Sequence, residues 1–375
     1  MKIFINGLGI ICRVGKSPKE IIQNFKIVPQ IDSIKVDNKI FPVCLTPEDW
    51  LPKKADKVFE LAKHSIDDAI KMSQSKINLN DTAIMAGCTK GYSSSISKHI
   101  QEQDIADIAI ANTNQLNIDL SKHYQIPYIH IPNAACATGA QVLNKAVNLI
   151  KKNEYKQIII CMAEASITNE IISAFHQLGV LTLNPKGMLP FDQNHSGFHI
   201  GDGSAALIIS KENLSDDSIG TIDAIASGTD ATHFSKFKHG PDSIMKLIDQ
   251  ALNSANLSIN DFHHLNLHGT ATKVNDIMES SLMDRLTKQN PNLLFSSTKR
   301  HTGHLLGASG LLEFTLCLIF AKNNFIPQLQ ARSPLSNLNK NLIINETDLL
   351  IKSKKFINVS YGLGSPIGVV LGESS

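Results

Sequence analysis

Short runs rich in Ile and Val alternate with longer amphipathic stretches, and this alternation restricts the fold more than any other feature of the sequence. Helical spacing of apolar residues is clear at residues 55–72. The alternation predicts an α/β fold with mostly parallel sheets. Ten runs have the length and composition of buried strands, at residues 2–5, 82–86, 128–131, 157–162, 205–209, 220–226, 264–267, 293–296, 356–360 and 368–371.

Two of the predicted helices carry apolar residues on nearly every face. The first is expected at residues 138–150 and the second at residues 307–320, and each follows a strand and a turn of small residues. Helices of this kind are typical of the interior of large proteins. One such helix in each half indicates a duplicated architecture. We therefore expect an N-terminal half at residues 1–215 and a C-terminal half at residues 216–375.

Composition excludes several classes of function. The chain of 375 residues is long enough for two domain-sized cores, and its net charge of +2 offers no basic surface for nucleic acid. The longest apolar stretch, residues 311–321, is too short to span a bilayer. The N-terminus lacks a signal-peptide pattern, and six scattered cysteines without a CxxC pair indicate free thiols. We expect a cytoplasmic protein that binds neither nucleic acid nor membranes.

A cysteine stands between a predicted strand and the first apolar helix, in the segment Pro132-Asn-Ala-Ala-Cys136-Ala-Thr-Gly139. Its small neighbours leave room for a substrate. A helix dipole and free backbone N–H groups favour a thiolate at such a position, so we expect a lowered pKa for Cys136. Taken alone, a single cysteine is more often a small buried hydrophobic residue.

A histidine follows an apolar strand in the segment His268-Gly-Thr270-Ala-Thr272. Loops at strand ends commonly hold catalytic groups, although an isolated histidine there is more often structural. Two carboxylates, Asp276 and Glu279, follow within one helical turn of each other.

A second histidine, His304, and a lysine, Lys299, come just before the second apolar helix, which contains Glu313. A carboxylate inside an apolar helix is costly unless it is paired. We therefore expect Glu313 to bind a nearby lysine or histidine. This segment is hard to explain by packing alone.

A fourth segment, beginning Pro190-Phe-Asp192, contains Phe198 and the sequence Gly201-Asp-Gly203. The glycines precede a predicted strand instead of following one and opening a helix. The segment is therefore not a dinucleotide-binding fingerprint. We expect close backbone packing next to a functional site.

In order and content, these motifs together resemble the thiolase-fold condensing enzymes, and among them the elongating β-ketoacyl-(acyl-carrier-protein) synthases. That family carries cysteine in an Ala-Cys-Xaa-(Ser/Thr)-Gly turn and one histidine in His-Gly-Thr-Xaa-Thr. A second histidine follows in Lys-Xaa-Xaa-Xaa-Gly-His-Xaa-Xaa-Gly-Ala, where the initiating synthases that use acyl-CoA usually carry Asn. The resemblance runs from Gly7-Leu-Gly9 to the C-terminal glycine loop, nearly the whole chain.

The resemblance implies a thiolase-like five-layer αβαβα fold built from two similar halves. It also implies that Cys136 accepts an acyl chain from an acyl carrier protein. His268 and His304 then bind the thioester oxygen of malonyl-carrier protein and assist its decarboxylation, and the enolate attacks the acyl-cysteine. No metal and no other cofactor is implied. The resemblance also implies that Lys299 is a catalytic residue, with Glu313, Glu279 and Asp276 as supporting residues. The residues that it implies for substrate binding are Thr270, Thr272, Leu363 and Phe198.

Some positions depart from the family pattern. Leu363 stands where a Phe usually gates the acyl pocket, and His195 replaces a usual Arg. The stretch between Gly91 and Asn133 is also shorter than in typical members. These departures favour a specialised enzyme, such as one that makes an aryl polyene or another secondary metabolite, over a housekeeping enzyme.

Two alternatives stay open. We expect a homodimer, but the chain can also be the chain-length partner in a heterodimer with a second ketosynthase-like subunit. Such partners have usually lost the cysteine that this chain keeps. The other alternative is a thiolase-like or hydroxymethylglutaryl-synthase-like enzyme acting on acyl-CoA, and the two histidine motifs argue against it.

Overall fold

Strands and helices alternate along the chain, as the sequence predicts. The computed structural model describes residues 2–52, 55–73, 81–102, 112–214, 219–231, 240–344, 353–362 and 365–375. The strands are β1 (Ile3–Cys12), β2 (Asp32–Val36), β3 (Lys39–Cys44), β4 (Thr82–Gly87), β5 (Gln157–Glu164), β6 (Ile200–Gly201), β7 (Gly203–Ser210), β8 (Gly220–Thr229), β9 (His264–Asn266), β10 (Leu294–Ser296), β11 (Lys355–Tyr361) and β12 (Pro366–Ser374). The helices are α1 (Pro18–Phe25), α2 (Lys57–Met72), α3 (Ser93–Glu102), α4 (Gln115–Tyr124), α5 (Thr138–Lys151), α6 (Asn169–Gln177), α7 (Asp242–Ala255), α8 (Lys273–Gln289), α9 (Lys299–Thr302) and α10 (Ser309–Lys322).

Nine strands form one sheet in the order β10-β9-β11-β12-β8-β1-β7-β5-β4. Three neighbouring pairs are parallel (β10/β9, β9/β11 and β5/β4) and the other five are antiparallel. The expectation of mostly parallel sheets is therefore wrong. The loop between β11 and β12 shows one reason, because a connection that short returns the chain as an antiparallel hairpin and has no room for a crossover.

One predicted strand, at residues 128–131, is also wrong. Only Tyr128 forms a bridge, to Ile84 at the edge of the sheet. The ladder stops there because the side chain of Asn117, on α4, donates to the carbonyl of Ile129 at 2.8 Å. A small second sheet, β2-β3-β6, was not predicted, since β2 alternates half-buried and exposed residues and lacks an apolar run.

The large sheet contains the same topology twice. In β1-β7-β5-β4 the successive pairs are antiparallel, antiparallel and parallel, and β8-β12-β11-β9 repeats this sequence of pairings. The two sets join where residues 3–5 of β1 pair with residues 220–222 of β8. The duplication that the two apolar helices suggest is thus present in the strand order, while the boundary at residue 215 stays a prediction.

Helices pack on the outer side of each of the two strand sets and also in the space between the two sets. Helices α2 and α4 pack on the outer side of the first strand set, and α7 and α8 pack on the outer side of the second. Helices α5 and α10 lie between the two sets and contact each other. This gives the layers α/β/α/β/α. None of the described helices is long and apolar enough to cross a membrane.

The two central helices differ in burial. Every residue of α10 from Ser309 to Ala321 is buried, as its apolar composition predicts. Helix α5 exposes Asn148 and Lys151, so it is apolar on the face toward the sheet and not on every face. The backbones cross closely at Gly139, where an added Cβ would lie 2.5 Å from the amide nitrogen of Leu311. Glycine is required there because any side chain would collide with main-chain atoms of α10.

Candidate active site

Cys136 lies in a 3-10 turn, Ala135–Ala137, that leads directly into α5. The side chain of Thr138 fixes this turn, donating to the carbonyl of Ala135 at 2.7 Å and accepting from the amide of Ala134 at 2.9 Å. Ala135 has a φ of +48°, a strained value for a residue with a side chain. All six cysteines are free thiols, and Cys136 alone among them is not fully buried.

The second half of the chain repeats this turn. A 3-10 turn, Leu306–Ala308, leads into α10, and its first residue, Leu306, has a φ of +44°. The two turns contact each other. His304 lies just before the second turn, so the contact between the two turns brings the segment of Cys136 and the segment of His304 together.

A buried chain of hydrogen bonds fixes the proton on His268. The Lys299 ammonium forms an ion pair with Glu313, and both side chains are almost fully buried, at 0% and 1% exposure. The prediction that Glu313 is paired is thus confirmed. The same ammonium lies 3.2 Å from Nδ1 of His268. Because an ammonium only donates, Nδ1 accepts, and the proton of the neutral ring is on Nε2.

His304 lies against His268, with ring centroids 5.5 Å apart and ring planes nearly perpendicular, at 87°. Its Nδ1 is 2.8 Å from the hydroxyl of Ser309 at the start of α10. Phe198 packs edge to face on the other side, 4.8 Å away between ring centroids. Phe198, predicted to bind substrate, thus lies directly beside His304. Its glycine-rich segment packs tightly here too, since an added Cβ on Gly201 would lie 2.1 Å from the carbonyl oxygen of Thr302.

The Glu279 carboxylate binds the backbone of the turn that carries His268. Its two carboxylate oxygens accept from the backbone amides of His268 at 2.7 Å and Gly269 at 2.9 Å. Asn275 and Tyr361 donate to the same carboxylate at 2.6 and 3.2 Å. Burial, only partly offset by these hydrogen bonds, raises the pKa of Glu279 to about 7. Glu279 therefore stabilises the backbone of the turn that carries His268.

Asp276 joins α8 to the segment that carries Phe198. Its Oδ2 accepts from the backbone amide of Phe191 and contacts Nδ1 of His195, both at 2.7 Å. His195 is thus held against this buried carboxylate. Thr270 is buried in the turn before α8, and Thr272 caps that helix by accepting from the amide of Asn275 at 3.4 Å. Leu363 lies outside the described residues.

Comparison with known proteins identifies the family. A model of the β-ketoacyl synthase N-terminal domain matches residues 62–214, and a model of its C-terminal domain matches residues 219–331. The chain belongs to the β-ketoacyl synthase family. The 3-oxoacyl-[acyl-carrier-protein] synthase 2 of Staphylococcus aureus (strain MRSA252) is 26% identical over 412 residues, which cover 98% of this chain and 95% of that relative.

Solved structures of this family share the fold over the full chain. A ketosynthase of a type II polyketide synthase, in complex with its acyl-carrier protein and bound to a hexaketide, superposes with a TM-score of 0.87 at 17% identity, covering 100% of this chain and 99% of that one. A ketosynthase from Xenorhabdus doucetiae, in complex with its chain length factor, gives a TM-score of 0.83 at 20% identity, covering 100% and 98%. The predicted thiolase-like five-layer fold is therefore confirmed.

The pKa of the Cys136 thiol differs from the value that the sequence led us to expect. Cys136 is half-buried, and loss of solvent around its sulfur raises the pKa to about 11, although Lys299 and Lys90 act in the opposite direction. The expected lowering is wrong because loss of solvent around the sulfur outweighs the charges of the two lysines. Burial, followed by the charge of Lys299, lowers the pKa of both His268 and His304 well below the ordinary value. The site holds a protonated thiol and two neutral imidazoles.

Two further charged residues near Cys136, Glu164 and Lys90, were not predicted as site residues. Glu164 ends β5, is fully buried, and accepts from the amide of Thr89 at 2.6 Å, from the Thr89 hydroxyl and from Ser166. Lys90 follows Thr89 in a loop and acts on Cys136 through space. A carboxylate at the end of an apolar strand is a signal that could have found Glu164. Among the described residues, no cluster of three or more His, Cys, Asp or Glu side chains is arranged to hold a metal ion.

Proposed function

We propose that this chain is a condensing acyltransferase that extends an acyl chain by decarboxylative condensation with a malonyl thioester. The observation that carries the proposal is the Glu313–Lys299–His268 chain. It leaves an Nε2–H donor on His268 next to His304, in a site with one accessible thiol. Neutral donors aimed at one point stabilise the oxyanions of thioester chemistry.

The first step transfers the acyl group. The Cys136 sulfur attacks the carbonyl carbon of the acyl thioester, the bond from that carbon to the carrier sulfur breaks, and the thiol proton ends on the released carrier thiol. Because burial raises the pKa of Cys136 to about 11, the resting thiol carries its proton at neutral pH, and the transfer step has to remove it.

The second step makes the carbon–carbon bond. The bond between the malonyl methylene and its carboxylate breaks, CO2 leaves, and the electron pair forms an enolate whose oxygen accepts from His268 and His304. The methylene carbon then attacks the acyl-cysteine carbonyl, and the Cys136 sulfur departs and takes up a proton. The product is a β-ketoacyl thioester on the carrier.

We propose an acyl carrier protein as the substrate carrier, with Thr270 and Thr272 along its pantetheine arm. Support comes from the carrier protein that accompanies one of the similar ketosynthases. A homodimer is our primary proposal for the assembly. A heterodimer is the second candidate, because another similar ketosynthase forms a complex with a chain length factor. We also propose that no metal or other cofactor takes part.

The test is to incubate the purified protein with acyl- and malonyl-carrier proteins and to weigh the products by mass spectrometry. We expect a product longer by two carbons, in the presence or absence of a chelator. Changing Cys136→Gln should abolish condensation but leave malonyl decarboxylation. Changing His304→Ala should slow decarboxylation by on the order of a hundredfold, the effect of one oxyanion donor. Equal decarboxylation by the His304 variant and the parent contradicts the proposed role, and product formed only with an added second subunit supports the heterodimer.

A further inference from the structure

Lys90 brings an unpaired positive charge to the wall of the active site. It lies in the loop between β4 and α3 and is half-buried. Its ammonium is 5.8 Å from the ring centroid of Phe175. Within the part of the chain that the structure describes, no carboxylate lies within ion-pair distance of it. The ring attracts the charge but cannot accept a hydrogen bond in the way that an oxygen does.

Packing fixes the loop of Lys90 against the catalytic turns. Thr89, which precedes it, binds Glu164 through both its amide and its hydroxyl. The methyl group of Thr89 fills the space beside Gly307, where an added Cβ would lie 2.0 Å from it. Gly307 is in the turn that follows His304. The position of Lys90 is therefore set by the same turn that opens α10.

A row of aromatic rings connects Lys90 to the histidines. Phe175 contacts Phe198 edge to face, with ring centroids 5.9 Å apart, and Phe198 packs in the same way on His304. Both phenylalanines are buried. The ammonium therefore stands at the end of an apolar wall that begins at the catalytic imidazoles.

The neighbouring charged side chains do not accept hydrogen bonds from Lys90. Lys299, the other cation that acts on Cys136, is paired with Glu313. Glu164 acts on Lys90 through space, but its oxygens already accept from Thr89 and Ser166. An ammonium has three N–H donors, and no protein acceptor among the described residues occupies those of Lys90, so they are available to an oxygen atom of a bound ligand.

We propose that Lys90 is a specificity-determining residue that binds an oxygen atom, carboxylate or keto, of the acyl group carried on Cys136. This inference rests on the proposed function and names its substrate class. The synthase selects oxygen-bearing acyl groups over saturated hydrocarbon chains of the same length. A different role for Lys90, general stabilisation of the Cys136 thiolate, would favour all acyl groups equally.

The experiment measures acylation of Cys136 by three carrier-bound groups with four-carbon backbones: butyryl, acetoacetyl and succinyl. We expect the parent to react with the two oxygen-bearing groups faster than with butyryl by on the order of tenfold, the effect of a charge-assisted hydrogen bond. Lys90→Met should remove this preference, while Lys90→Arg should keep it. Lys156→Met, a change at an exposed lysine paired with Asp81, is the matched control and should behave like the parent. A uniform slowing of all three groups in Lys90→Met, or no preference in the parent, overturns the proposal.

A second measurement separates this inference from the proposed function, because it needs no acyl substrate. Alkylation of Cys136 by anionic iodoacetate is compared with alkylation by neutral iodoacetamide. The ratio of the two rates should fall severalfold in Lys90→Met and stay unchanged in Lys156→Met. An unchanged ratio in Lys90→Met shows that the ammonium does not act on groups bound at the thiol. If the parent forms no condensation product but the ratio falls, the proposed function fails and the anion-binding role of Lys90 stands.

Discussion

The buried Lys299–Glu313 pair allows stability and activity to be separated. Both side chains are removed from solvent, so either charge left alone lacks water as well as its partner. Leaving one buried ion uncompensated costs about 3–5 kcal/mol, whereas replacing both ions by apolar residues of similar volume is often neutral or stabilising. We therefore expect Glu313→Leu to lower the free energy of unfolding by about 3–5 kcal/mol. The double variant Lys299→Met, Glu313→Leu should lie within about 1 kcal/mol of the parent.

The two single variants should differ in their pH dependence. Burial already raises the pKa of Glu313 to about 7 with Lys299 present, and loss of Lys299 raises it further. In Lys299→Met the carboxyl is therefore protonated at pH 6, so no charge is buried. A group with a raised pKa in the folded state stabilises the protein below its unfolded pKa and loses that contribution as the pH rises. Lys299→Met should accordingly be less destabilised at pH 6 than at pH 8. Glu313→Leu should not become more stable at pH 6, because it lacks the carboxyl group.

Urea unfolding at both pH values gives the stabilities, and malonyl decarboxylation gives the activity. Both variants that lack Lys299 should lose decarboxylation by on the order of a hundredfold, since His268 loses the donor that fixes its tautomer. The double variant should thus be stable but inactive. If it proves less stable than Glu313→Leu, the ion pair is a net source of stability and the reasoning is wrong.

Three other predictions concern the thiol and the acyl pocket. Alkylation of Cys136 by iodoacetamide should accelerate about tenfold per pH unit from pH 7 to 10, because burial raises the thiol pKa to about 11 and only the thiolate reacts; a plateau below pH 9 contradicts this. Peptide mapping after treatment with iodoacetamide or a cerulenin-like epoxide should find the label on Cys136 and not on the five buried cysteines. We hypothesise that Leu363, being smaller than the Phe usual at this position, makes the enzyme more permissive toward polyenoyl chains, so Leu363→Phe should raise selectivity for short saturated chains, measured as acylation rates of Cys136. A parent that already rejects polyenoyl chains as strongly as the variant would refute this hypothesis.

Local patterns in the sequence were sufficient for much of the fold. Nine of the ten predicted strands are present, because a fully buried strand must be a continuous apolar run. Whether neighbouring strands are parallel or antiparallel was not predictable in the same way, because it depends on which distant segments pair in the sheet. The segment at residues 128–131 has strand composition, but Asn117 on a separate helix takes the hydrogen bond that would extend it. The sequence of residues 128–131 gives no indication of this donor, which comes from another segment.

At the site, the sequence predicted the parts that obey a local rule. The apolar setting of Glu313 required a cationic partner, and Lys299 is that partner. The thiol pKa did not follow, because it depends on how many atoms from other segments exclude water from the sulfur. Lys90 was missed for a related reason. Its loop looks like an ordinary polar turn until the fold places it beside Gly307.

The crossing of α5 and α10 at Gly139 has a consequence for how this enzyme can diverge. Main-chain atoms approach closely at that point. The turn that carries Cys136 begins four residues before Gly139, and the turn that follows His304 begins five residues before Leu311. The separation between the segments of Cys136 and His304 is therefore set by the peptide backbone and not by the shapes of side chains. Substitutions elsewhere around the site can change substrate preference, over evolution or by design, without changing that separation.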